Sequence, residues 1–108
     1  MEILEYTFIK SDRKFVKLFF GDILFIKGLG NYVEIFLVDK RKFIYYKSLK
    51  TLIDKLPDEF MRVHNSYIIN LRNVESIEDN HLLIGNFKIA IAKSYRDCLN
   101  SSLEKMLL

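Results

Sequence analysis

The sequence predicts a mainly β fold built from short antiparallel strands with about two short helices. Ten segments alternate apolar and polar residues with a period of two, their connections are short, and only two segments have helical periodicity. Short strands joined by tight turns are typical of antiparallel sheets. With 108 residues, half of them hydrophobic, the chain is predicted to form a single domain over residues 1–108.

The predicted strands are rich in β-branched and aromatic residues, which suit a pleated, partly buried surface. Tight turns are predicted at Asp39-Lys40, Asp79-Asn80 and Gly85-Asn86, and the last of these is a two-residue turn that needs a positive φ. In chain order, the strands are predicted at Tyr6–Lys10, Lys14–Phe20, Asp22–Lys27, Tyr32–Val38, Arg41–Tyr46, Met61–His64, Tyr67–Leu71, Val74–Glu78, His81–Ile84 and Phe87–Ala92.

Two segments have the spacing of one helical face. In the first, Pro57 is expected to end the helix, and the apolar positions at i, i+3, i+4 and i+7 are Leu49, Leu52, Ile53 and Leu56. The second is predicted to begin at about Tyr95, with Ser94 and Asp97 resembling a capping box. Arg96 then lies in its first turn, where a cation is unfavourable, which hints at a role other than helix stability.

Composition narrows the functional classes. No apolar run approaches the roughly 18–20 residues of a membrane helix, and the N-terminus lacks the basic region of a secretory signal. A soluble cytoplasmic protein is therefore expected. The single cysteine, Cys98, excludes an internal disulfide and is expected to be half-buried in the last helix. A net charge of +3 permits an anionic partner without requiring one.

Nothing in the sequence favours an enzyme. The two histidines, His64 and His81, have no metal-ligand spacing, and Gly28-Leu29-Gly30 fits an ordinary loop between strands. Ser66 lies near His64 but outside a nucleophile-elbow motif, so a small hydrolase is only a weak alternative. We expect no catalytic residue, no metal and no cofactor.

Polar residues interrupt the apolar pattern at three strand ends. These interruptions are Asn31-Tyr32, His64-Asn65-Ser66 and Lys93-Ser94-Tyr95-Arg96. Asparagine and arginine are common readers of adenine and guanine, and hydroxyl and ammonium groups are common phosphate ligands. Each segment fits either a solvated turn or a DNA-contacting loop, and residue types alone leave both interpretations open.

The segment FMRVHNSYIINLRNVESI (Phe60–Ile77) resembles the signature of the LytTR family, DNA-binding output domains of bacterial response regulators of the LytR/AlgR/AgrA type. Upstream, DILFIKGLGNYVEIFL and YYKSLKTLIDKLPDEF are similar to family segments, as is AIAKSYRDCL downstream. The resemblance covers about residues 6–105. The signature positions that match are Phe60, Arg62, His64, Ser66, Tyr67, Ile68, Ile69, Asn70, Val74 and Ile77.

The resemblance implies an elongated stack of small antiparallel sheets that enters DNA with loops. It implies binding to paired direct repeats, with loops in successive major grooves and contact to the minor groove between them. The domain is expected to form a dimer on DNA and to be a weak dimer or a monomer when free. A phosphoreceiver domain is a possible further partner, and no membrane is expected. Asn31, Asn65 and Arg96 are the implied base-contacting residues. Backbone or supporting contacts are expected from Tyr32, His64, Ser66, Lys93, Ser94 and Tyr95.

Some roles stay open at this point. His64 either orients its turn or binds phosphate. Arg62 is expected to pair with a carboxylate or to cover apolar surface. The basic cluster Lys40, Arg41 and Lys42 is expected to face away from DNA, at the opposite strand end. The alternative to DNA binding is an interaction module whose strand-end loops dock a receiver or sensor domain.

Overall fold

The computed structural model describes residues 5–108 and contains ten strands and two α-helices in that range. All ten predicted strands are present, with ends that differ from the predicted ones by at most two residues. Residues 1–4 of the predicted domain lie outside the described range. The elements are β1 (Tyr6–Ser11), β2 (Lys14–Phe19), β3 (Ile23–Leu29), β4 (Tyr32–Leu37), β5 (Lys42–Tyr45), α1 (Leu49–Ile53), β6 (Phe60–His64), β7 (Tyr67–Asn70), β8 (Val74–Glu78), β9 (His81–Ile84), β10 (Phe87–Ala90) and α2 (Lys93–Glu104).

A five-stranded sheet with the order β5-β4-β3-β7-β6 forms the centre of the fold. The β1-β2 hairpin and the three-stranded sheet β10-β9-β8 are separate small sheets, and every described strand pair is antiparallel. The predicted stack of small antiparallel sheets is thus confirmed. Within residues 5–108, neither helix is long and apolar enough to cross a membrane.

The middle of the central sheet is buried on both faces. On one face, the β1-β2 hairpin and α1 cover a core that includes Ile26 and Ile68. On the other, β8–β10 and α2 cover a second core that includes Phe25 and Ile69. Residues 23–26 of β3 are therefore apolar and buried without interruption, because a strand covered on both sides has no polar face.

Asn70 ties the end of β7 to the start of β3 from inside the protein. The residue is fully buried, and its Nδ2 donates to the carbonyls of Phe20 and Ile23, both at 3.0 Å. Its Oδ1 accepts the backbone N–H of Arg72 at 3.1 Å. A buried amide is tolerated because its polar atoms have protein partners.

The first helix is shorter than predicted. It ends at Ile53, although the apolar spacing continues to Leu56. The backbone N–H groups of Lys55 and Leu56 bond carbonyls three residues earlier, at 2.9 and 3.3 Å, so the chain closes in a tighter turn before Pro57.

The second helix begins at Lys93, two residues before the predicted start. Its N-cap is Ala92, and no side chain caps the helix, so the predicted capping box at Ser94 is wrong. The N–H groups of Ile91 and Ala92 donate to Asn80 and Val63 carbonyls, both at 2.8 Å, which holds the chain extended up to the helix. Cys98 is exposed, not half-buried as expected.

Candidate nucleic-acid interface

Strand pairing brings two of the three polar segments to one end of the central sheet. β3 and β7 run antiparallel with Lys27 opposite Tyr67, so the chain leaves β3 where it enters β7. The N–H of Gly28 donates to the carbonyl of Ser66 at 2.8 Å. The turn before Tyr32 and the turn before Tyr67 are therefore neighbours.

The start of α2 joins the same end. The hydroxyl of Tyr95 donates to Oδ1 of Asn65 at 3.2 Å, and the Ala92 N–H reaches the carbonyl of Val63, the residue before His64. All three polar segments predicted from the sequence thus meet in space. We call this surface the recognition edge, and its residues are Asn31, Tyr32, His64, Asn65, Ser66, Lys93, Ser94, Tyr95 and Arg96.

His64 shapes the turn in which Asn65 lies. The pairing of β6 with β7 is irregular between Arg62 and His64, and the imidazole Nδ1 accepts the backbone N–H of Ser66 at 3.1 Å. The ring also packs edge-to-face against Tyr67, with centroids 5.6 Å apart. Because the imidazole bonds the backbone of Ser66 and not its hydroxyl, the pair lacks the nucleophile–base contact of a hydrolase.

Arg62 also supports the turn that contains Asn65. Its Nη2 donates to the carbonyl of Asn65 at 2.7 Å, and its guanidinium lies 5.8 Å from the ring centroid of Tyr95. Of the two expected roles of Arg62, the carboxylate pair is wrong for residues 5–108, because none of the salt bridges there involves Arg62. Its Nε is buried without a hydrogen-bond partner among residues 5–108. Arg62 therefore links the turn to α2.

Arg96 is anchored at the start of α2. Its Nε donates to the carbonyl of Ile91 at 3.1 Å, a contact that offsets the unfavourable position of a cation in the first helical turns. The side chain is half-buried, whereas Lys93 and Ser94 are exposed. Lys93 and Ser94 lie inside the helix and not in the loop before it. The recognition edge thus combines the guanidinium of Arg96, anchored to Ile91, with the exposed residues Lys93 and Ser94.

Asn31 is exposed at the tip of the β3–β4 turn. Gly30 before it has a φ of 73°, a conformation that suits glycine, and it allows the chain to reverse there. The ring of Tyr32, the next residue, stacks on Tyr46 with centroids 6.3 Å apart and an interplanar angle of 24°.

Comparison with known proteins decides the family. The family model described as the LytTr DNA-binding domain matches residues 13–104. The chain belongs to the LytTR family. This LytTR domain also superposes on a solved LytTr DNA-binding domain from Bacillus cereus, with a TM-score of 0.79, 18% identity, and coverage of 93% of this chain and 97% of that one. At that identity, the likeness establishes the fold alone.

Curated relatives extend the comparison to sequence. The LytTR domain is 33% identical over 66 residues to the accessory gene regulator protein A of Staphylococcus aureus, and equally to that of Staphylococcus epidermidis. The match covers 60% of this chain and 27% of each relative. The chain therefore corresponds to about a quarter of the length of these proteins.

The structure adds Tyr46 to the recognition edge, and this residue was not among the predicted site residues. Tyr46 is 76% exposed, and its ring stacks on that of Tyr32. The signal was present in the sequence: a β4–β5 hairpin returns its last residues to the end where β4 began. The observed register, Val33 opposite Tyr45, has this consequence.

The basic cluster Lys40, Arg41 and Lys42 lies at the opposite end of the sheet, as expected. The N–H of Val38 in that turn bonds the carbonyl of Asp22, next to the start of β3. Two of its three cations are already paired, Arg41 with Asp39 at 2.6 Å and Lys42 with Glu34 at 2.8 Å. The backbone hydrogen bond from Arg41 lowers the pKa of Asp39 below its usual value. We call residues 38–42 the opposite turn.

Proposed function

We propose that this LytTR domain binds double-stranded DNA sequence-specifically through the recognition edge, as the output part of a bacterial transcriptional regulator. One observation carries the proposal: in a chain of a DNA-binding family, three separate polar segments converge on one end of one sheet. The function places the protein in the cytoplasm. The edge would enter successive major grooves of paired direct repeats, one copy to each repeat. The two copies would form a dimer on DNA, whereas the free protein would be a weak dimer or a monomer.

The residues of the edge divide by chemistry. Asn31, Asn65 and Arg96 are the proposed readers of base edges, because amide and guanidinium groups match the donors and acceptors of the major groove. Lys93, Ser94 and the Tyr32–Tyr46 pair suit phosphate and sugar contacts, which position the protein without reading sequence. His64 and Ser66 hold the turn, since their hydrogen bond lies within it.

Tyr95 bears on what Asn65 reads. Its hydroxyl donates to the Asn65 Oδ1, and the amide nitrogen makes no hydrogen bond within residues 5–108. Asparagine reads adenine with both amide atoms, accepting from N6 and donating to N7. With Oδ1 engaged, the amide offers chiefly its N–H groups, which match the two acceptors of guanine. We propose that Asn65 prefers guanine and that Tyr95 is the positioning residue for this preference.

Selection of duplexes from a random library, followed by affinity measurements on the enriched sequence, tests the function. We expect one enriched sequence with a directly repeated half-site. If the edge neutralises about 4–6 phosphates, log K should fall with log salt at a slope of roughly −4 to −5. A flat salt response contradicts the electrostatic part, and two half-sites bound independently contradict the dimer.

Arg96→Ala separates base reading from phosphate binding. We expect a loss of about 1–3 kcal/mol on the selected duplex and relaxed selectivity at one base pair. An equal loss on all duplexes would make Arg96 a phosphate ligand. The matched control is Arg41→Ala in the opposite turn, which removes the same charge far from the edge and should leave affinity nearly unchanged.

The alternative, an interaction module in which the edge docks a receiver or sensor domain, has its own outcome in the same experiment. Selection without any enriched duplex, from folded protein, favours that module over DNA reading. A receiver domain remains a proposed partner of the full-length regulator in either case.

A further inference from the structure

The outer face of the β1-β2 hairpin carries four exposed aromatic side chains. The inner face of the hairpin enters the core, where Ile9 is 4% exposed and Leu18 is 2% exposed. In the strand register, Tyr6 lies opposite Phe19, Phe8 opposite Lys17, and Lys10 opposite Phe15. These six residues are exposed and lie on the side of the hairpin away from the core. We call this surface the hairpin face, and its residues are Tyr6, Phe8, Lys10, Phe15, Lys17 and Phe19.

The four aromatic side chains of the hairpin face are strongly exposed. Phe15 is 75% exposed, Phe8 is 54%, and Tyr6 and Phe19 are each 48%. Three of them form a connected cluster, because Tyr6 packs edge-to-face against both Phe8 and Phe19 at centroid distances near 6 Å. A contiguous aromatic patch on a strand pair is more than the scattered apolar exposure of an ordinary surface, and it marks an interaction site.

Two lysines lie within this patch. The Lys17 ammonium is 4.2 Å from the ring centroid of Tyr6 and 5.3 Å from that of Phe19, and Lys10 is 5.9 Å from the centroid of Phe15. In the described part of the chain, neither lysine forms a salt bridge with a carboxylate. The face therefore offers apolar area and two cations that have no anionic partner.

Charge selects the kind of partner. Residues 5–19 carry four cations, Lys10, Arg13, Lys14 and Lys17, against Glu5 and Asp12, a net charge of +2. Two copies of this face would repel each other, whereas a carboxylate-bearing surface would be attracted. Base stacking fits less well, because an ammonium group lies over three of the four rings and Tyr6 meets its two aromatic neighbours edge-to-face.

We propose that the hairpin face docks an acidic amphipathic segment of another protein. Aliphatic side chains of that segment would cover the aromatic cluster, and its carboxylates would pair with Lys10 and Lys17. Docking on the hairpin face would leave the recognition edge free. Phe20 follows the open end of the hairpin and accepts a hydrogen bond from Asn70, which lies at the end of β7 away from Asn65. β1 also lies before residue 13, where the match to the family model begins, so the β1 half of the hairpin face is outside the matched region.

A phage-displayed library of short random peptides, selected on the folded domain, provides the probe. Counter-selection uses the triple variant Phe8→Ser, Phe15→Ser, Phe19→Ser, whose changes all lie on the outer face. We expect enriched peptides that combine Leu, Ile or Val with Asp or Glu. No enrichment, or an enriched set without acidic residues, overturns the proposal.

The best enriched peptide, made synthetically, then locates the site. Amide chemical-shift changes should concentrate in residues 6–19, and the double variant Lys10→Glu, Lys17→Glu should weaken binding roughly five- to tenfold. A peptide with its acidic residues replaced by lysine should bind the double variant better than the wild type. Shifts centred elsewhere, or no such charge-swap recovery, contradict the docking mode.

Matched controls exclude loss of fold and other ligands. Val38→Ser and Lys40→Glu remove a similarly exposed apolar group and reverse a charge in the opposite turn, and both should leave peptide binding unchanged. The hairpin variants should have the same midpoint denaturant concentration for unfolding as the wild type. Tighter binding of anionic vesicles or single-stranded DNA at the hairpin face, or self-association through it in sedimentation velocity, would overturn a peptide-docking role.

Discussion

Asn65 and Asn70 lie five residues apart in one segment and occupy opposite environments. Asn70 is fully buried at the end of β7, where its amide joins three backbone groups. Asn65 is exposed in the turn before β7, where its Oδ1 meets Tyr95 and its amide nitrogen has no partner within residues 5–108. The same side chain thus stabilises the fold in one place and is available to a ligand in the other.

The comparison shows that residue type alone does not assign a role. A buried amide with satisfied hydrogen bonds contributes to stability, because removing Asn70 takes a donor from each of two buried carbonyls and the side-chain acceptor from the Arg72 N–H. An exposed amide contributes little to stability, because water replaces any lost partner. Substitutions at the two asparagines should therefore separate stability from DNA affinity.

The largest effect is expected for Asn70→Ala. The substitution removes the Nδ2 hydrogen bonds to the Phe20 and Ile23 carbonyls and the acceptor of the Arg72 N–H, and it should lower the free energy of unfolding by about 2–3 kcal/mol. Urea denaturation followed by circular dichroism measures it. Asn73→Ala is the matched control: this amide bonds the Gly21 carbonyl and the same Ile23 carbonyl, but it is only half-buried, so the loss should be smaller. Equal losses at both positions would contradict the importance of burial.

Asn65→Ala should have the converse result. We expect affinity for the selected duplex to fall by about 1–3 kcal/mol, roughly 5- to 150-fold, because a base contact is lost. The free energy of unfolding should change by less than about 0.5 kcal/mol, as for other exposed positions. Fluorescence anisotropy and urea denaturation measure the two quantities. A stability loss as large as that of Asn70→Ala would remove the distinction between the two sites.

Tyr95→Phe should have the smallest effect and the most specific one. The ring and its contact with Arg62 remain, and only the hydroxyl that engages Asn65 Oδ1 is lost. Freed Oδ1 can accept from adenine N6, so the preference at one base pair should shift from guanine towards adenine by roughly two- to tenfold. Repeating the duplex selection tests it.

Tyr6→Phe is the control for Tyr95→Phe, because it removes a hydroxyl from the hairpin face, away from the recognition edge. Its base preference should match that of the wild type. An unchanged preference in Tyr95→Phe, with wild-type affinity, would show that the hydroxyl does not orient Asn65. If the wild type itself bound no DNA, that result would instead count against the proposed function.

The strands were predictable because their signal is local. Alternation with period two requires only that one face of a strand be buried, and the antiparallel hairpins follow from turns such as Asp79-Asn80, where both residues have positive φ. The start of α2 was not predictable from its own residues. It depends on hydrogen bonds from Ile91 and Ala92 to Asn80 and Val63, which no local pattern contains.

The candidate site shows the same division. Polar strand ends and the family signature pointed to Asn31, Asn65 and Arg96, whose DNA contacts stay predictions. Of the two roles expected for Arg62, the described residues show no carboxylate pair; Tyr95, whose ring its guanidinium approaches, lies 33 positions further along the chain. Tyr46 was overlooked although hairpin geometry returns it to the recognition edge.

By itself, the sequence determined the strands, the family and the polar residues that end each strand, since these depend on neighbours along the chain. Tertiary structure alone decided which polar residues meet and which are buried. Pairing of Lys27 with Tyr67, 40 residues apart, and of Val63 with Ala92 before α2, 29 residues apart, gathers distant segments into one edge. That gathering depends on register and on the packing of both sheet faces, and both are properties of the whole chain.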